Sequence, residues 1–192
     1  MIYPDNFEQK IGFNEIRNML RERCLSTLGK EQVEKMTLSD DAEQVNEWLK
    51  QVREFRRLIL EVEDFPLQYF YDVRESIVRI RIENTHLEEN ELFDLRRSLS
   101  TIDSIVKILN HSDEDESHAE ENDGWRREKK YTYPSLHLLA KDIVTFPQIV
   151  QRIDQILDKF GKIRDNATPE LLQIRRELAK TEGSISRTLY SI

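Results

Sequence analysis

Only five glycines and five prolines interrupt 192 residues, and that scarcity restricts the chain to long, uninterrupted elements. Helices tolerate such spacing, whereas short-stranded sandwiches need frequent turns. The prolines also stand where helices begin or break. Pro134 and Pro147 each precede an apolar run at a first-turn position, where the missing amide hydrogen has no partner to lose. Thr168-Pro169 adds an N-capping hydroxyl to such a proline and is the strongest helix start in the chain. Asp64-Phe65-Pro66 is a break, since proline disfavours helix at the residue before it.

Apolar periodicity fills in the elements. Val45, Trp48, Leu49, Val52, Phe55 and Ile59 follow Asp40 and Glu43, whose spacing is that of a capping box, and predict a helix over about 41–62. Thr85 and Glu88 repeat that spacing before Leu92, Leu95, Leu99, Ile102, Val106 and Leu109. These intervals of three and four predict one helix of an antiparallel bundle, with dimerisation through the same stripe as a rival. Asn14 is expected to cap a helix carrying Ile16, Leu20 and a buried, inert Cys24, and Ser26 to cap a short one reaching Met36. Asp72 to Glu75 restart the chain through Ile77 and Ile80, ending near Asn84. Asp158 to Asp165 are too polar to continue the helix begun at Pro147. In the last helix Leu171, Ile174, Leu178, Ile185, Leu189 and Ile192 fall at a/d-like positions, with Thr181 and Thr188 in the gaps. It meets no capping glycine or proline, so either its end frays or the chain is the front of something longer.

Composition sharpens what is excluded. Charged residues make up 34% of the chain and the net charge is −8, of which residues 111–124 supply seven acids and no base. That stretch cannot bury enough surface to offset its ordering entropy and is expected to be a mobile loop. The remainder is nearly balanced, and no block is basic enough to bind nucleic acid through counterion release. The candidate phosphate or partner contacts are Arg126 and Arg127 in the basic stretch after the loop, and Arg175, Arg176 and Arg187 on the last helix. Gly29-Lys30 and Gly161-Lys162 lack the upstream glycine and the hydroxyl of a phosphate-cradling loop. Cys24 with His86, His111, His118 and His137 has no zinc spacing, and no catalytic constellation emerges. One cysteine, no signal peptide and no long apolar run make the cytoplasm the default, with no membrane partner.

Four segments then carry a resemblance: Gly12-Phe13 to Glu31; Pro66-Leu67 with Asp72-Val73-Arg74; Leu87 to Leu99; and Gly161 to Leu171 with Ile174-Arg175. In this order they resemble the N-terminal region of the second-type bacterial MutS paralogues, over nearly the whole chain. A departure is Gln68-Tyr69-Phe70-Tyr71, where that family has a tight Gly/Pro turn. Phe13-Asn14-Glu15 spells the Phe-x-Glu probe of mismatch repair proteins, but it sits at a predicted helix start, so mismatch recognition is not expected.

The resemblance implies the helical core and the beginning of the lever of a DNA-binding ATPase that restrains recombination or acts on branched DNA, or on ribosomes. Catalysis is not expected in this chain. ATP and magnesium would belong to an ATPase domain outside these residues, as would the family's usual C-terminal nuclease. The implied partners are the remaining domains, branched DNA or a ribosome, and a second copy in the full-length protein. The rival is a stand-alone helical interaction module that binds nucleic acid or ribosomes. The fold expected is all-α, an elongated multi-helix bundle with a long C-terminal lever helix. Its parts would be a helical subdomain over 1–110, the acidic loop 111–124, and a second helical subdomain over 125–192.

Overall fold

A computed structural model describes residues 6–112 and 131–190. Among these the regular structure is helical, with two isolated β-bridges and no strand. The helices are α1 (Phe7–Lys10), α2 (Phe13–Arg23), α3 (Thr27–Glu34), α4 (Ala42–Glu61), α5 (Arg74–Arg79), α6 (Glu89–Leu109), α7 (Pro134–Ala140), α8 (Pro147–Ile156) and α9 (Pro169–Tyr190). The all-α expectation holds. The stretch 113–124 of the acidic loop, and Arg126 and Arg127 after it, lie outside the described residues.

The chain divides into two compact units, each discontinuous in sequence. Unit 1 is Met1–Asp72 with Ser100–Thr145, and unit 2 is Val73–Leu99 with Phe146–Ile192. These boundaries differ from the sequential division at 110 and 125, and one of them falls inside α6.

Unit 1 is organised by α4 and α7. Leu58, fully buried, joins Leu109, Tyr133, Leu136 and Ala140 in one cluster, with Val62, Phe65, Ile105 and Ile108 packed against it. Phe55 and Phe65 meet edge to face at 5.7 Å, so the Asp64-Phe65-Pro66 break folds its aromatic ring back onto α4. The helices before α4 are tied by Arg17, which donates to Glu8 at 2.8 Å and to the Met36 carbonyl at 2.9 Å. Unit 2 has a smaller apolar centre, with Ile153 and Leu157 buried.

Several helix starts differ from expectation by a residue or more, each for a visible reason. Asp41 rather than Asp40 caps α4, accepting from the amides of Glu43 and Gln44, while the Ser39 hydroxyl accepts from Asp41 N. Asn14 caps nothing, because α2 begins at Phe13 after Gly12, whose φ of 75° only glycine adopts freely. Thr85 closes the turn after α5 instead of opening α6, donating to the carbonyls of Arg79 and Ile82. Cys24 is half-buried rather than buried, and lies just past α2, its thiol on the Leu20 carbonyl at 3.3 Å. Ser26 does cap α3, accepting from Gly29 N.

Tyr69, within the aromatic loop, takes a φ of 66°, a left-handed value that a non-glycine residue adopts at a cost of about 1–3 kcal/mol. Its stacking on Tyr71 at 6.3 Å, and the Thr101 hydroxyl donating to the Gln68 carbonyl, hold the loop there.

Candidate functional site

Among the described residues, the connection from α8 to α9 in unit 2 is densely hydrogen-bonded. Asp158 organises it: its carboxylate accepts from Phe160 N at 2.8 Å and Lys162 N at 2.9 Å, while its own amide donates to the Lys162 carbonyl. These bonds hold the Asp158 carboxyl below its usual range, chiefly through the Lys162 amide. Gly161 supplies the sharp reversal with a φ of 80°, and a β-carbon there would stand 2.7 Å from the Phe93 ring. A side chain is therefore excluded twice, by backbone strain and by the ring.

Arg164 closes the far side. Its Nε donates to the carbonyls of Asp154 and Leu157 at 3.0 and 2.8 Å, and its backbone amide to the Ile156 carbonyl at 2.8 Å. The last carbonyls of α8, which have no partner within the helix, thus receive a cation. Thr168 then opens α9 by accepting from Leu171 N at 3.2 Å, with Pro169 in the first turn. Arg175, one turn further along, pairs with Asp165 and reaches the Ile163 carbonyl.

The other wall is the start of α6. Glu91 accepts from Ser76 Oγ at 2.8 Å, from Glu88 N at 2.9 Å and from Arg79. With the Glu88 amide as the largest cause, and Ser76 and Arg79 adding to it, the Glu91 carboxyl falls to about 2. Half of the capping box expected at Thr85 and Glu88 is thus found three residues later, where the Glu91 side chain accepts from Glu88 N. Lys162 pairs with Glu89 at 3.2 Å, and Arg96 donates from Nε and Nη2 to the two Asp154 carboxylate oxygens at 2.8 and 3.2 Å. Arg97 lies over the Phe93 ring at 4.9 Å. Two of the four resemblance-bearing segments, Leu87 to Leu99 and Gly161 to Leu171, therefore meet as one constellation of ion pairs, caps and a glycine contact.

Unit 1 has a counterpart that no local pattern signals. The Glu54 carboxylate of α4 accepts from Ser135 N and Leu136 N at 3.1 and 2.9 Å and so caps α7 from 81 and 82 residues away. Tyr133 donates to Glu61 at 2.7 Å beneath the Arg57 guanidinium, and burial, with Glu61 beside it, pushes its phenol above the usual value.

The described candidate arginines, Arg175, Arg176 and Arg187, are not gathered into one patch. Arg175 is paired as above, Arg176 is exposed, and Arg187 donates to the Gly183 carbonyl of its own helix at 3.2 Å. Eleven residues separate Arg176 from Arg187, about 16 Å along the axis. Among the described residues no group of three His, Cys, Asp or Glu side chains is placed to hold a metal, and no helix is long and apolar enough to cross a membrane.

Comparison with known proteins adds the family context. No family model matches the chain. A protein of Alkaliphilus oremlandii named endonuclease MutS2 is 27% identical over 180 residues, 94% of this chain and 21% of that protein. The chain is similar to a segment of MutS2. Proteins of the same name from Geobacillus sp. and Levilactobacillus brevis are each 28% identical, over 94% and 92% of this chain. The chain spans about a fifth of the length of these curated relatives, 21% in each.

Proposed function

We propose that the chain is a non-catalytic helical core and lever segment of a MutS-like, DNA-binding ATPase that restrains recombination or acts on branched DNA. The observation that carries this reading is the similarity over 94% of the chain to 21% of a protein named endonuclease MutS2. ATP, magnesium and any nuclease activity would then belong to domains outside these residues. The partners would be those domains, branched DNA or a ribosome engaged by the full-length protein, and a second copy of it, in the cytoplasm.

The geometry supports a mechanical role. α9 is a 22-residue rod, about 33 Å long, that exposes Ile174, Leu178, Ile185 and Leu189 and is fastened at its first turns. A rod fastened at one end passes on the displacement of its base. Its exposed apolar stripe suits coverage by another helix of the full-length protein. Arg126, Arg127, Arg175, Arg176 and Arg187 remain the candidate phosphate contacts, and the ion pair of Arg175 sets it last among them.

Fluorescence anisotropy of the isolated chain with a four-way DNA junction and with structured RNA, at about 50 and 200 mM salt, tests the reading. A lever segment binds feebly at both. Tight binding with a steep salt slope supports the rival, a stand-alone nucleic-acid or ribosome-binding module. Turnover of ATP by the isolated chain at the rate of an ATPase overturns the non-catalytic reading.

A further inference from the structure

α9 has no buried residue, and beyond Leu172 every described position but Gly183 is exposed. Packing along its length therefore does not aim it. What touches its base is the twelve-residue connection 157–168 between the ends of α8 and α9. In that connection the backbone amides of Asp158, Phe160, Gly161, Lys162, Arg164 and Ala167 all donate within the turn or to α8. Its Arg164 and Lys162 side chains bind α8 carbonyls and Glu89 of α6, and Gly161 rests on Phe93.

We infer that residues 157–168 form a rigid joint that fixes the direction of α9, with Arg175 as its brace. The joint stands on this geometry alone and is independent of the lever reading. Its stiffness has two sources. A β-carbon added at Gly161 would stand 2.7 Å from the Phe93 ring, so the backbone of the turn lies close against α6 and movement toward it is opposed. Arg164 ties the turn to two carbonyls at the end of α8, and Arg175 ties the second turn of α9 back to Asp165 and Ile163. The leverage is large: a tilt of about 10° at the base moves the far end of α9 by roughly 6 Å, given a rise of about 1.5 Å per residue. Small losses of fit in the joint should therefore appear as a wide spread of α9 directions.

Double electron–electron resonance on the full 192-residue chain tests this directly. Native Cys24 is replaced (Cys24→Ser), and spin labels are placed at the exposed positions Gln155 of α8 and Lys180 of α9 through Gln155→Cys and Lys180→Cys. The joint predicts one narrow distance distribution, broadened about twofold by Arg164→Ala or Gly161→Val and unchanged by Arg176→Gln. If Arg164→Ala lowers the helical circular dichroism of the whole chain, Arg175→Gln, which removes only the brace, is read in its place. A distribution already broad in the parent, or equally narrow in a variant that keeps its helix content, overturns the inference.

Discussion

Unit 1 and unit 2 are built from the same kind of helix but closed by different forces. In unit 1 a fully buried Leu58 is surrounded by Leu109, Tyr133, Leu136 and Ala140, and charges such as Glu54 and Glu61 sit at the rim to cap and to receive a hydroxyl. In unit 2 the buried apolar residues are Ile153 and Leu157, and carboxylates and guanidinium groups make the connections: Glu91, Asp158, Arg96 and Arg164. Non-directional burial stabilises a core wherever volume is filled, whereas bonds to backbone carbonyls and amides also fix an angle. The unit that launches a long exposed helix uses the second kind.

The contrast can be broken most severely by a cavity. Leu58→Ala should cost about 3 kcal/mol of unit 1 stability, read as a lower urea midpoint by circular dichroism, because the removed methyl groups leave a void in a closed core. An equivalent truncation in unit 2, Leu178→Ala on exposed α9, should change stability by less than about 0.5 kcal/mol in the same measurement.

Next in size, Gly161→Val should cost about 2 kcal/mol, since a β-branched side chain meets both a positive φ and the Phe93 ring. A midpoint equal to the parent's would show that the turn relaxes and is not the fixed element described. Removing the two hydroxyl caps compares the units more evenly: Ser26→Ala in unit 1 and Thr168→Ala in unit 2 should each cost about 1 kcal/mol by urea unfolding.

Titration should separate the units more gently. The Glu91 carboxyl is lowered from 4.5 to about 2 and that of Asp158 is lowered as well, so their contribution is complete above the unfolded value and fades as pH falls from 4.5 toward 2. Among the described residues of unit 1, Asp103 loses such a contribution, its carboxyl being lowered mainly by its hydrogen bond from Lys107. At the other end, the Tyr133 phenol is raised above 10.0, so its contribution to unit 1 is lost as pH climbs past that value. Urea midpoints between pH 6 and 2 should fall less steeply for Glu91→Gln than for the parent; equal slopes would remove Glu91 from the account.

Much of this was legible in the sequence. Pro134, Pro147 and Thr168-Pro169 announce three helices because a first-turn proline and a capping hydroxyl act within a few residues. The stripe from Val45 to Ile59 likewise gives α4 nearly its full length. Neighbouring acids defeat finer reading: Asp40 and Asp41, or Glu88 and Glu91, offer overlapping capping registers, and backbone geometry chooses between them. Long-range partners leave no local trace. Nothing near Glu54 announces that it caps α7, and nothing near Gly161 announces Phe93. The two interleaved units were out of reach for the same reason, since α6 carries one unbroken apolar pattern across the boundary at Leu99 and Ser100. The expected helix 125–192 subdomain therefore shares its residues between the units, with Pro134–Ala140 in unit 1 and Pro147–Ile156 in unit 2.

Hydrogen exchange on the full chain, followed residue by residue, tests most directly whether α9 is held at its base by a bonded turn rather than along its length. Strong protection is expected at Leu58 and its neighbours in α4 and at the bonded amides of Lys162, Arg164 and Leu172, with protection falling away along α9 from about Gln173 onward. Uniform protection of α9 to Tyr190 at the level of α4, or unprotected amides at Lys162 and Arg164, would contradict it.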